Sequence, residues 1–345
     1  MAAEAAGAPD DAPTAATRAL DLAGIALLVF AWWRYVQTPE GFDAHAYWAL
    51  DIGNPYAAGI VGATDFFPYS PAFAQVLLPL TGLTFEAFYG VWTAISLLCV
   101  WYLVGPVTGA ALVLVFPPVT GNISTGNIHL MMAAAIVAGF RYPSAWAFVL
   151  LSKVTSGVGL LYFAVRREWR TLALAIATAA AIAAASFVVA PELWFQWFQL
   201  LRSNASAEPI NFRPLTTLPV ILRIAVAAVV VAWGARTNRP WTVPVAAMIA
   251  LPVFWTIGLS MLAGVISLAP RYTEVRRRFG LVVLAIGSPI VLLPVRSVVA
   301  LTIATFVGVV LIGLLLVRPG LFRKLPAAIP SRPATRQDTP GRGRV

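Results

Sequence analysis

From Thr171 to Ala190 the chain runs for twenty residues without one charged side chain, directly after the cluster Arg166-Arg-Glu-Trp-Arg170. A helix of about 20 residues rises about 30 Å, the thickness of a bilayer's hydrocarbon core. Further apolar runs cover Ala19–Val36, Phe85–Val104, Pro219–Ala235, Phe279–Leu293 and Ser297–Val317. In each the apolar residues are continuous and do not alternate, which is the pattern of a helix and not of a barrel strand. Lipid admits only helices or closed barrels, because nothing else satisfies the backbone there. Composition agrees: 60% of the 345 residues are hydrophobic and only 11% are charged, against about 25% in soluble domains. The expected fold class is all-α, a polytopic membrane protein with about 10–12 transmembrane or half-membrane helices.

Charge orients the spans. The net charge of +10 lies mostly on arginines in short loops and in the segment after Arg318, as the positive-inside rule requires. It therefore needs no nucleic-acid partner. Residues 1–18 read as an acidic cytoplasmic leader and 319–345 as a basic, Pro-rich, disordered cytoplasmic tail. The leader lacks the basic start and small-residue cleavage site of a secretory signal, so the first span is read as retained. Residues 19–318 form the membrane domain, with outer loops at 37–84 and 191–218. The second loop carries Trp194-Phe-Gln-Trp-Phe198, Asn204, Glu208 and Asn211, and its aromatic cluster suits an interfacial helix. Val107–Pro118 and Gly126–Phe140 read as a short pair joined by a loop, Val119–Thr125.

Keeping the basic clusters inside also requires two hairpins of half-helices. Ser144–Val165 turns at Ser152-Lys-Val-Thr-Ser156, and Thr242–Ala269 turns near Phe254-Trp-Thr-Ile257, which leaves Arg239 and Arg276-Arg-Arg278 in cytoplasmic loops. Broken helices of this kind persist only where protein or a wet cavity surrounds them. Both tips and both long loops then face one non-cytoplasmic side.

The polar residues on that side are the candidates for chemistry. In Gly41-Phe-Asp-Ala-His-Ala-Tyr-Trp48, Asp43, His45 and Tyr47 lie at i, i+2 and i+4, so Asp43 and Tyr47 share a helix face. A carboxylate at a membrane-edge cavity can take the proton of an attacking hydroxyl; an Asp in such a loop can equally cap a helix. Asp51 precedes the turn-rich Ile-Gly-Asn-Pro-Tyr56, where turn formation is its default. Asp65 precedes Phe66-Phe-Pro-Tyr-Ser-Pro71, which two prolines make stiff and extended; it can wall a sugar site or anchor the interface. Lys153 is the only lysine before the tail. A cation at the centre of a lone membrane helix costs about 2.5–3.5 kcal/mol, so it either meets an anion such as a lipid phosphate or snorkels to the surface. Asn122, Asn127 and His129 can bond sugar hydroxyls or satisfy broken-helix backbone. With His45 and His129 as the only histidines and Cys99 as the only cysteine, no metal site and no disulfide framework is expected. There is no phosphate-binding Gly-rich loop, and no cofactor is expected.

The order of these blocks resembles glycosyltransferase family 87. The blocks are Asp43-x-x-x-Tyr47-x-Ala49, Asn54-Pro-Tyr56, Tyr69-Ser-Pro71 and Pro79-Leu80, then Gly126-Asn-Ile-His-Leu130 with His129 at the place of an Asn, then Arg141, Lys153 and the Arg166–Arg170 cluster. The resemblance runs from about Asp43 to Arg170, more weakly beyond. Family members commonly carry a late Ser-Trp-x-His segment; here Leu251-Pro-Val-Phe-Trp-Thr-Ile-Gly258 keeps the tryptophan, Trp255, without the histidine. The family comprises multi-spanning GT-C enzymes, among them mycobacterial polyprenol-phosphate-mannose-dependent alpha-mannosyltransferases. The resemblance implies a GT-C fold and a polyprenyl-phosphate-sugar donor. It implies a cell-envelope glycolipid or lipoglycan acceptor and inverting displacement with Asp43 as general base. Lys153 would then bind the donor phosphate, and His45, Tyr47, Tyr56, Asp65, Tyr69, Asn127, His129 and Trp255 would contact substrate. The expected location is a bacterial plasma membrane, multi-pass, with the active face periplasmic. Ala-, Arg- and Gly-rich composition points to a high-GC, actinobacterial genome. A lipid-sugar transporter or flippase, and a non-catalytic partner in envelope assembly, fit the broken helices and the intramembrane cation as well.

Overall fold

The computed structural model describes residues 14–205, 209, 214–269, 273–292 and 298–317. Most of the acidic leader, Glu208, Asn211 and the basic tail lie outside the described residues.

Every regular element among the described residues is helical. In chain order they are α1 (Ala15–Gln37), α2 (Phe42–Trp48), α3 (Pro71–Thr81), α4 (Phe85–Val104), α5 (Pro106–Val115), α6 (Pro117–Thr125), α7 (His129–Gly139) and α8 (Trp146–Ser152). There follow α9 (Leu161–Val165), α10 (Trp169–Val189), α11 (Pro191–Ser203), α12 (Val220–Arg236), α13 (Thr242–Ile249), α14 (Leu262–Leu268), α15 (Thr273–Leu292) and α16 (Val298–Val317). Short 3₁₀ turns at Val154–Leu160 and Thr256–Met261 join α8 to α9 and α13 to α14. Among the described residues, three helices, α1, α4 and α10, are long and apolar enough to cross a membrane, and α5 with α6 makes a fourth span if the bent pair counts as one.

Local chemistry sets the boundaries. Thr14 caps α1 and Thr84 caps α4, each hydroxyl accepting an N–H of the first turn, which satisfies a donor that the helix leaves orphaned. Proline opens α3, α5, α6 and α11, where its missing N–H costs nothing. Between α5 and α6 the Pro117-Pro118 pair cannot continue the hydrogen-bond ladder, and Phe116 before it is extended. The two helices therefore bend by 85°. The stretch 119–125, expected as a loop, is the body of α6. Pro117 supplies a good helical start, and Asn122 and Ser124 are tolerated because α6 ends within one turn of them.

Small residues let the helices around α5 approach closely. A Cβ on Gly24 of α1 would lie 2.7 Å from the Pro106 carbonyl carbon, and one on Gly280 of α15 would lie 2.6 Å from Thr108 Cα. Without a hydrophobic drive between helices in lipid, such close backbone contact is a main source of association. Arg276, Arg277 and Arg278, expected in a loop, instead lie in α15. Arg277 pairs there with Asp21 of α1 at 3.1 Å, so these two charges neutralise one another within the bundle.

The chain breaks where hairpin tips were expected. Lys153 has an extended conformation (φ −141°, ψ 84°) between α8 and its 3₁₀ turn. Residues 250–255 separate α13 from the second 3₁₀ turn. Arg223 of α12 holds that second break together. Its guanidinium is buried and donates to the carbonyls of Leu218 (3.1 Å), Ile249 (3.0 Å), Leu251 and Pro252 (2.8 Å). The carbonyls of Ile249, Leu251 and Pro252 lie at the end of α13 and in the break after it, where an interrupted helix leaves acceptors unpaired. Arg223→Met should cost about 3 kcal/mol or more, since buried acceptors lose charged donors. The expected reading is a clear fall in the detergent-solubilised protein's thermal unfolding midpoint; an unchanged midpoint would refute this clamp.

Candidate active site

Four segments meet beneath the loop between α1 and α3, and one glycine makes their approach possible. Gly126 ends α6 in the left-handed region (φ +76°), and a Cβ there would fall 2.5 Å from Ala44 Cβ. Only glycine takes that conformation without strain and leaves room for α2. The turn is fixed from three sides. Gly41 N–H donates to Ser124 O (2.9 Å), Tyr89 Oη donates to Ser124 O (2.9 Å), and Trp92 Nε1 donates to Gly126 O (2.7 Å). Asp43 on α2 is thereby set against Thr125 and Asn127. Gly126→Ala should destabilise the fold by about 2–4 kcal/mol, combining overpacking with backbone strain. It should also abolish any activity that depends on Asp43. A variant with wild-type melting behaviour would contradict the close packing.

The third segment is Tyr69-Ser-Pro71. Ser70 N–H reaches Leu151 O (3.4 Å), which ties this loop to the end of α8 just before Lys153. The Tyr47 and Tyr69 hydroxyls share a hydrogen bond (2.8 Å), and Tyr56 Oη donates to the Tyr69 carbonyl (3.0 Å). Phe67, Phe73 and Trp92 enclose Tyr47 at ring-centre distances of 6.3, 6.1 and 5.2 Å. Tyr47 and Tyr69 are fully inside, so this aromatic block acts as a rigid wall behind Asp43.

The fourth segment brings the cation. Lys153 Nζ donates to His129 Nε2 at 2.9 Å and stands 5.8 Å from the Tyr69 ring centre. It also acts electrostatically on Asp43. One carboxyl and one ammonium from distant parts of the chain therefore lie within electrostatic reach of one another. Asp43 as a residue retains solvent contact, yet protein crowds its carboxyl, as at the floor of a crevice. That burial pushes the Asp43 carboxyl above the usual carboxylate range; Asn127, the Lys153 charge and Thr125 pull it back only in part. The Tyr47 and Tyr69 hydroxyls, also buried and close to Asp43, are held well above the usual phenol range.

Asn127 is buried and its Oδ1 meets no protein donor; the same holds for Ser70 Oγ, which lacks a partner. Buried polar atoms are nearly always paired, so these two are available to a polar ligand. Ser70 and Thr125 were not among the sequence candidates. The signal for Ser70 lay in its place between Tyr69 and Pro71; nothing local distinguishes Thr125.

The remaining candidates lie elsewhere. His45 Nδ1 and Asp65 Oδ1 are 2.6 Å apart, with both side chains about 40% exposed. His45 packs edge-on against Trp48 and Phe85 (5.4 and 5.2 Å), so this pair forms a second, more open patch on the face of α2 away from Tyr47. Asp51 accepts Gly53 N–H (2.9 Å), the turn role its sequence context favours. Trp255 begins the 3₁₀ turn Thr256–Met261, which packs on α6. Next to Lys153 in sequence begins an apolar groove of about 520 Å³, lined by Val154, Val158, Leu161, Leu172, Ile176 and Ile224 among others.

Searches of the curated proteins and of the solved structures give no match. The sequence model for glycosyltransferase family 87 matches residues 66–286, a range that starts later and extends much further than the motif blocks did. It takes in Tyr69, Asn127, His129, Lys153 and Trp255, and it covers more than half of the chain. The chain belongs to glycosyltransferase family 87.

Proposed function

We propose that this protein is a membrane glycosyltransferase that moves a sugar, mannose in the first instance, from a polyprenyl-phosphate donor to a hydroxyl of a cell-envelope glycolipid or lipoglycan. The site faces the non-cytoplasmic side of a bacterial plasma membrane, within a GT-C arrangement of full and half spans. Family membership supports the general class of a polyprenyl-phosphate-sugar-dependent membrane enzyme. The observation that carries the finer reading is that the Asp43 carboxyl and the Lys153 ammonium lie within electrostatic reach of one another, both beside Tyr69.

Inverting transfer needs two things at opposite ends of the breaking bond. The acceptor oxygen must lose a proton as it bonds to the anomeric carbon, and Asp43 is the base that takes it. The bond from that carbon to the phosphate oxygen breaks, and its electron pair leaves on the polyprenyl phosphate. Phosphate is a good leaving group, so it needs charge stabilisation more than protonation. The Lys153 ammonium supplies that. Asn127 and Ser70 offer hydrogen bonds to the sugar, Tyr47, Tyr56 and Tyr69 wall it, and the groove starting at Val154 suits the prenyl chain. His45 and Asp65, at the more exposed edge, would meet the acceptor.

The test is transfer of labelled mannose from polyprenyl-phosphate-mannose, with host glycolipids as acceptors, by membranes carrying the wild-type chain or Asp43→Asn. Transfer by the wild type that collapses in the variant is the expected result. Equal transfer by both would remove Asp43 from the mechanism, and conversion of other polyprenyl-phosphate sugars but not mannose would correct the donor.

A further inference from the structure

We propose that His129 is a positioning residue: through its Nε2 it fixes the Lys153 ammonium toward the donor phosphate, and Asn122 sets the ring tautomer that allows it to do so. The proposal rests on the reading of Lys153 as the phosphate-binding cation and assigns that cation its support.

His129 is fully buried and both ring nitrogens are engaged. Nε2 lies 2.9 Å from Lys153 Nζ, and Nδ1 lies 3.5 Å from the Asn122 side-chain amide. An ammonium has three N–H donors and no acceptor. The Nε2 facing it must therefore be the unprotonated nitrogen, and in a neutral ring the proton then sits on Nδ1. That fixes Asn122 as well. With its Nδ2 toward the ring, two N–H groups would oppose each other, and Asn122 Oδ1 would stay buried without a donor. Turned over, Asn122 Oδ1 accepts from Nδ1–H, and both conflicts disappear. Amide orientation is assigned from such networks. Asn122 is itself anchored, since its carbonyl accepts the Asn127 N–H (3.0 Å).

The consequence is a count of donors. One Lys153 N–H is spent on His129, the ammonium stands off the Tyr69 face, and the remaining N–H groups are free for an anion. A lysine on four single bonds is otherwise a poorly placed charge. A neutral, tautomer-locked imidazole holds it without cancelling its charge, as a carboxylate in the same place would.

The test separates the two edges of the ring. In His129→Gln the side-chain oxygen can occupy the place of Nε2 and still accept from Lys153. In His129→Asn the amide reaches only as far as Nδ1 and leaves Lys153 without its acceptor. The expected result is a roughly tenfold or larger loss of kcat/KM in His129→Asn, a clearly smaller loss in His129→Gln, and no further loss when His129→Asn is added to Lys153→Met, since coupled residues are not additive. Asn122→Ser, which frees the tautomer, serves as the second probe if His129→Asn does not fold; its loss should also vanish beside Lys153→Met. Additive losses, or His129→Gln no better than His129→Asn, would overturn the proposal. Binding of a long-chain polyprenyl monophosphate to the purified full chain gives a readout independent of turnover. If the wild type transfers no sugar, the glycosyltransferase reading fails. The same ranking of variants in monophosphate binding would then still uphold the positioning role, and equal binding by all of them, or none by the wild type, would end it.

Discussion

Asp43→Asn is expected to lower sugar transfer by about 10²–10⁴-fold, the contribution of a positioned general base. The substitution keeps the shape of the side chain and its bond to Asn127, so donor and acceptor binding should change little and the loss should fall on kcat. The environment of Asp43 makes two further results specific. Burial holds its carboxyl above the usual carboxylate range, and the base works only when ionised. Activity should therefore rise with pH through that elevated pKa, so that the acid limb of the profile stands above the range of an exposed aspartate. Stability should run the other way. The folded state holds the Asp43 proton more tightly than the unfolded chain does, so ionisation costs stability once pH exceeds the unfolded pKa, and the full cost is reached above the folded pKa. Asparagine mimics the protonated form. The inactive variant should therefore melt higher than the wild type at neutral pH, and the two should converge in acid. Loss of activity with a lowered melting point would mean that Asp43 supports the fold and does not serve as a base.

How much of this was readable beforehand depended on the range of each signal. Uncharged runs such as Thr171–Ala190 announced α10 directly, because lipid leaves the backbone few options. The expected short helix Val107–Pro118 overlaps α5, which begins one residue earlier at Pro106. The α5–α6 bend was missed because Pro117-Pro118 reads equally well as a loop and as the first turn of a new helix; what decides is the packing of the 3₁₀ turn at Thr256–Met261 on α6, which no local pattern contains. Arg276–Arg278 were placed in a loop by the positive-inside rule. The partner that admits Arg277 into α15, Asp21, is nearly the whole chain away. The site shows the same division. Asp43 and Tyr47 stood out by spacing, Tyr69 through the family resemblance, and Lys153 by its cost in an apolar run. That Asp43 comes within reach of the Lys153 charge depends on Gly126 giving way to Ala44, and that Arg223 steadies the break before Trp255 depends on carbonyls freed by that break. His45 and Asp65 were equally visible, but they pair with each other at 2.6 Å on a more exposed patch.

Lys153→Met is expected to lower transfer by about 10²–10³-fold, the usual effect of removing one electrostatic partner of developing charge. Methionine fills nearly the same volume and is at home in an apolar surround, so the loss of stability should be limited to the one donor that His129 Nε2 gives up. That makes the variant a cleaner probe than a shortened side chain. Charge on the leaving phosphate grows between ground state and transition state, so kcat should fall by more than KM rises. Product inhibition by polyprenyl monophosphate should weaken in parallel, since that anion carries the full charge. Lys153→Arg should not restore the rate. A guanidinium is planar and bulkier than an ammonium, and it cannot keep the His129 Nε2 contact at 2.9 Å while presenting a donor from the same point. The charge would be retained and misplaced. Transfer by Lys153→Met at the wild-type rate would exclude the cation from the reaction. Full activity in Lys153→Arg together with none in Lys153→Met would mean that any positive charge near Tyr69 suffices, so that His129 and Asn122 serve packing alone.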